Sequence, residues 1–156
     1  MRHRVELLLL DEFAEARNTY ESESYQKIRE SVLTDYAAAI QSIIDISKNF
    51  GIEPILMTQP NCFTLEDDFT KGQYNRFKQA ISYEDYCDLY LSLNNVTRRL
   101  AEENTLLLID LDLKVEKNSA NFYDTIYLST RGNQLVSDLI VEAVERKYPV
   151  IFFGKM

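Results

Sequence analysis

The chain has 156 residues, 46% apolar and 27% charged, which is enough for one domain with a core and ordinary for a globular protein. Its 17 basic and 25 acidic side chains leave a net charge of -8, which repels phosphate backbones and argues against nucleic acid as a partner. One histidine, His3, and two cysteines, Cys62 and Cys87, are too few and too scattered for a structural zinc site, and no metal or cofactor is expected.

The two thiols form no CxxC pair and read as free and mostly buried, which leaves the compartment open. The apolar run at 7–10 is too short for a signal sequence or a membrane span, so the chain reads as soluble.

Residues 2–16 mix Val5 and several leucines with acids and read as a short helix, and the polar stretch 18–24 reads as a loop. From 25 to 50 the pattern is clearer. Tyr25, Ile28, Val32, Tyr36, Ile40, Ile43 and Ile44 recur at helical spacing. Lys48 suits the negative end of the helix dipole, and Gly51 stands at the capping position. A long amphipathic helix is predicted here. Residues 52–58 then make a short apolar strand of the kind buried in parallel sheets, with Pro54 at its start, where no ladder N–H is needed.

Residues 59–79 form a long irregular connection, with Pro60, Asn61, Asp67, Asp68 and Gly72. Connections of this length usually cover a site or move. Tyr83, Tyr86, Leu89, Tyr90, Leu93, Val96 and Leu100 mark a second long helix, with Arg98, Arg99, Glu102 and Glu103 as its solvated face. A second buried strand is predicted over 105–111, followed by a polar loop over 114–124. Ser129 or Thr130 caps a third helix, which carries Leu135, Val136, Leu139, Ile140, Ala143 and Val144 on one face and ends at Tyr148 and Pro149. The apolar tail at 150–153 reads as a short strand or a packed terminus.

Helices alternating with strands imply an α/β fold with a parallel sheet. Residues 1–24 form an N-terminal helix and linker, 25–148 the α/β unit, and 149–156 a tail. Two strands beside three long helices make a poor core, since parallel sheets are covered on both faces and have more strands. The pattern is that of part of a larger sheet. Ten tyrosines and no tryptophan read as amphipathic packing at the core edge rather than as a carbohydrate or partner surface.

The four glycines, Gly51, Gly72, Gly132 and Gly154, allow no dinucleotide fingerprint, phosphate loop or G-x-S-x-G elbow. A Ser-His-Asp triad needs a histidine beside the serine, and His3 reads as an exposed residue near the start. Asp110 and Asp112 lie at the end of the second strand, where α/β proteins often place ligands. They read as the strand's exit into solvent and as turn caps. Asp67 and Asp68 read as solvated.

Two stretches carry a resemblance. Gly51-Ile52-Glu53-Pro54-Ile55-Leu56-Met57-Thr58-Gln59-Pro60 resembles a strand segment of SGNH (GDSL-type) ester hydrolases. Asn121-Phe122-Tyr123-Asp124-Thr125-Ile126-Tyr127-Leu128-Ser129-Thr130-Arg131-Gly132-Asn133 resembles that family's last block, where Asp-x-x-His precedes the final helix. Residues 90–104 and 105–111 are similar to the helix and strand between them. The resemblance spans roughly residues 31–145.

It implies a flavodoxin-like parallel sheet with flanking helices, here only the C-terminal strands and helices of an incomplete three-layer α/β/α domain. It implies hydrolysis of acyl or acetyl esters. Asp124 matches the family's acid, Tyr127 stands where its histidine stands, and Gln59 and Pro60 border the same site. No Gly-Asp-Ser nucleophile block occurs in these residues, nor the glycine and asparagine of the family's oxyanion hole. A phenol titrates near 10 and is no base at neutral pH, so the chain is expected to be inactive alone. Two further readings stay open. One is a non-catalytic protein of the same fold that binds an ester, an acylated glycan or a partner. The other is an unrelated α/β interaction domain. An exposed strand edge would favour a missing N-terminal half or a homodimer as partner.

Overall fold

The computed structural model describes residues 2–63, 71–72, 74 and 82–149, with side chains of the first helix described from Tyr25 onward. Asp67, Asp68 and the tail at 150–153 lie outside the described residues.

Helix α1 runs unbroken from Arg2–Asn49, through the stretch expected to be a loop. Residues 18–24 are polar but hold no glycine or proline, and each Ser, Thr or Asn costs a helix only tenths of a kcal/mol. Gly51 then ends it with φ of 70°. The Gly51 N–H bonds to Lys48 O at 3.0 Å and the Ile52 N–H to Ser47 O at 2.9 Å, the paired bonds of a Schellman cap.

Strand β1 (Ile55–Met57) follows immediately after Pro54. Helix α2 (Tyr83–Glu103) opens on Ser82, whose hydroxyl accepts the Asp85 N–H. Strand β2 (Leu107–Ile109) lies parallel to β1, with Ile55 opposite Leu107, Leu56 opposite Leu108 and Met57 opposite Ile109. A short helix, α3 (Leu111–Lys114), turns off the end of β2. Helix α4 (Thr130–Lys147) is capped by Ser129, whose hydroxyl accepts the Gly132 N–H.

The fold is thus mixed, mostly helical, with a parallel strand pair that makes it broadly α/β. Both strands are shorter than their apolar runs, because ladder bonds form only where the two segments face each other. Among the described residues the sheet has two strands.

The core gathers on β2 and α4. Cys62, Ile109, Leu111, Val115, Phe122 and Ala143 are buried together, with Leu135, Val136, Leu139 and Ile140 of α4 packed against them. This is the apolar face predicted for the third helix. A second cluster, Phe63, Tyr74 and Tyr83 with Tyr86 and Tyr90 beside them, is edge-to-face aromatic packing. The Phe63 and Tyr86 ring centroids are 5.1 Å apart at 81°, a favourable geometry for aromatic pairs.

Helix α1 packs mainly on α2, and much of that seam is polar. The Tyr25 hydroxyl donates to Asp88 Oδ2 at 2.9 Å, Arg29 Nη2 to Ser92 Oγ at 2.6 Å, and Lys48 Nζ to Asn104 Oδ1 at 3.0 Å. Ile28, Val32 and Ile43, predicted on the apolar stripe, are exposed, whereas Ile44 is fully buried. Over the described side chains, the helix buries one narrow face against its neighbour and leaves Ile28, Val32, Ile43 and Ile46 exposed.

Candidate functional site

The C-terminal ends of β1 and β2 converge on a buried polar network. Thr58 is 2% exposed. Its hydroxyl donates to Asp110 Oδ1 at 2.9 Å and accepts the Asp112 N–H at 2.9 Å. Arg98 reaches in from α2 and grips both carboxylates. Its Nε donates to Asp110 Oδ2 at 2.7 Å, and its Nη2 donates to Asp110 Oδ1 and to Asp112 Oδ2, each at 2.8 Å. The other oxygen of Asp112 accepts from Asn61 Nδ2 at 3.0 Å and from Lys117 Nζ at 3.1 Å.

The electrostatics follow from this geometry. Hydrogen bonding to Arg98 holds the Asp110 carboxyl below the usual carboxylate range, against the opposing effect of burial. Burial pushes Asp112 up, but the Arg98 hydrogen bond and the Lys117 charge outweigh it and leave the group lowered. Arg98 itself is raised by its bond to Asp110. Two cations against two carboxylates make the network neutral, and every buried charge in it is paired, as burial requires.

The sequence pointed elsewhere for these residues. Asp110 and Asp112 were expected to exit into solvent, and Arg98 to lie on a solvated face. Asp112 is instead 6% exposed, and Arg98 turns inward while Arg99 stays out, paired with Glu103. One signal was available. Asn94, Thr97 and Ala101 lie on the same helical face as Arg98, and all three are buried. An arginine inside that stripe must meet an acid.

Asp124 and Tyr127 sit in a small closed loop between Phe122 and Leu128, which form an antiparallel bridge. Asp124 Oδ1 accepts the N–H groups of Ile126 at 2.9 Å and Tyr127 at 2.8 Å, so the carboxylate caps its own turn. Tyr127 is 67% exposed, and the turn uses its backbone, whose N–H bonds to Asp124 and whose carbonyl accepts the Tyr123 N–H at 2.8 Å. Gln59 is held by Asn94, whose Oδ1 accepts the Gln59 N–H and whose Nδ2 donates to Gln59 O. Pro60 is buried beside it. The Cys62 N–H donates to Thr125 O at 2.8 Å, which brings the segment after β1 against the Asp124 loop.

Beside the network opens a half-enclosed cavity of about 360 Å³, lined by Asn61, Phe63, Glu84, Cys87, Asp88, Leu91, Asp112 and Lys117. Burial raises the Cys87 thiol, so it stays protonated and a poor nucleophile at neutral pH. Cys87 is a free thiol. Lys117, Glu84 and Asp88 were not singled out from the sequence, since nothing in their spacing marks them.

Among the described residues, no three His, Cys, Asp or Glu side chains gather as a metal-binding group, and no helix is long and apolar enough to cross a membrane. Neither a protein-family model nor a curated protein matches the chain.

Proposed function

We propose that this chain is the C-terminal part of an α/β domain of the SGNH/GDSL ester-hydrolase type, and that by itself it binds an acyl ester without cleaving it. The observation that carries this reading is the Cys62–Thr125 hydrogen bond. It brings the residues just after the first segment of the resemblance against the second segment, beyond the C-terminal end of a parallel strand pair, where α/β folds place their ligands. In a complete domain of this type the pair would continue into a larger flavodoxin-like sheet carrying the serine.

The absence of turnover follows from chemistry. Ester cleavage needs a nucleophile and a base to take its proton. Asp124 is occupied by two backbone N–H groups, and Tyr127 offers a phenol, which donates a hydrogen bond at neutral pH and takes no proton. Substituting histidine at 127 supplies a base but no serine for it to activate.

The test is p-nitrophenyl acetate hydrolysis by the wild-type chain, by Tyr127→His and by Asp124→Ala, with a titration of ¹H–¹⁵N spectra by a slowly hydrolysed acetyl ester. All three proteins should match the buffer blank, and the ester should shift the amides of Gln59, Asn61, Cys62 and residues 124–127. Turnover by the wild-type chain that Asp124→Ala abolishes would overturn the claim of inactivity. An ester that perturbs none of those amides would overturn the claim of binding.

A further inference from the structure

The cavity beside the network has a chemistry of its own. Its apolar lining comes from Phe63, Cys87 and Leu91, and its size falls at the lower end of the range of small-molecule sites. Glu84 and Asp88 stand one turn apart on α2 and face the same space. Asp88 spends Oδ2 on Arg29 Nε at 2.6 Å and on the Tyr25 hydroxyl. Its Oδ1 has no partner among the described residues, and neither carboxylate oxygen of Glu84 has one.

Charge decides what fits. Arg98 and Lys117 balance Asp110 and Asp112, and Arg29 balances Asp88. Glu84 remains, so among the described residues the cavity and its bordering ion pairs carry one uncompensated negative charge. The cation in the lining, Lys117, is engaged by two acceptors, Asn61 Oδ1 at 3.0 Å and Asp112 Oδ1 at 3.1 Å. A carboxylate or phosphate ligand would face Glu84 and Asp88 with Lys117 already occupied. A cation would complete the charge balance and use the open oxygens of Glu84 and Asp88.

We propose that this cavity binds a small organic amine, its ammonium group held between Glu84 and Asp88 Oδ1 and its hydrocarbon body against Phe63, Cys87 and Leu91. The site does not depend on the hydrolase reading, because it uses neither Asp124 nor Tyr127.

The test is a titration of the whole chain at neutral pH and low ionic strength with three isosteric probes: benzylamine, benzyl alcohol and benzoate. It is read from the ¹H–¹⁵N spectra. Benzylamine should bind saturably and shift the amides of Glu84, Cys87, Leu91 and Lys117. Benzyl alcohol should bind about three- to fivefold more weakly, the scale of a solvent-screened charge contact, and benzoate should not bind. Glu84→Gln should weaken benzylamine by a similar factor and leave benzyl alcohol unchanged. Glu84 is exposed in the first turn of α2, so the fold tolerates this change. Leu91→Lys, at a position 52% exposed, should abolish amine binding by placing a competing cation at the mouth. Equal affinity for benzylamine and the alcohol, an unchanged benzylamine affinity in Glu84→Gln, or no saturable benzylamine binding would each overturn the proposal. Ester turnover has no bearing on any of these outcomes.

Discussion

Thr105 holds the turn between α2 and β2 with φ of 55°, a left-handed conformation that β-branched residues strongly disfavour. It stays there because its N–H bonds to Glu102 O and the Leu106 N–H to Ala101 O, the same paired cap that Gly51 makes at the end of α1. The turn geometry is shared, and only one of the two positions has the residue suited to it. Thr105→Gly should therefore raise stability by about 1 kcal/mol, seen as a higher urea midpoint at unchanged m-value. An equal or lower midpoint would mean that the threonine side chain has a compensating contact. The Gly51 cap was legible from the sequence because glycine announces it. The Thr105 cap was not, because threonine there looks like the start of a strand.

Helix α4 depends on one close approach at its start. A Cβ at Gly132 would stand 2.1 Å from Asn121 O and 3.1 Å from a Leu128 methyl, and Asn121 O is already bonded to the Ser129 N–H. Backbone cannot yield as a flexible side chain can. Gly132→Ala should cost about 3 kcal/mol or more. Gly72→Ala, with nothing within 4 Å among the described residues, should be neutral or slightly stabilising. Thermal melts of the two variants side by side check this, and similar melting temperatures would contradict the tight fit. Element type was largely readable, since helical spacing over 25–50, 83–100 and 130–147 and apolar runs at 52–58 and 105–111 reflect what each segment can bury. Extent was less readable. The break expected at 18–24 is absent, and the strands contract to the residues that face a partner.

Across the whole molecule, stability should depend on pH through the strand-end network. Asp110 and Asp112 are lowered in the fold. Unfolded carboxyls near pKa 4 therefore bind protons before the folded ones do as pH falls. The stabilisation is complete above about pH 4 and is lost as pH drops through the folded values. Tyr74 and Tyr90 are shifted the other way, pushed up by burial to about 12. Their contribution is complete below about pH 10 and is lost as pH rises toward 12. Arg98→Met should cost about 2–4 kcal/mol at pH 7, because it leaves Asp110 without its cation and Asp112 with Lys117 alone. It should also flatten the loss between pH 5 and 3, because the two carboxyls lose the Arg98 hydrogen bonds that most favour their charged form. Urea midpoints of both proteins from pH 3 to pH 8 test this, and parallel curves would remove the network from the explanation. What the sequence determined by itself was the three long helices and the two strands, their order and the mixed α/β character, because periodicity and end signals are local properties of the chain. Only the tertiary structure decided that Arg98 turns inward to two aspartates, that Lys117 and Asn61 complete their shell, and that Glu84 and Asp88 open onto a cavity. Those facts depend on which helix face meets which strand end, and residues up to 56 positions apart settle that only when the chain has folded.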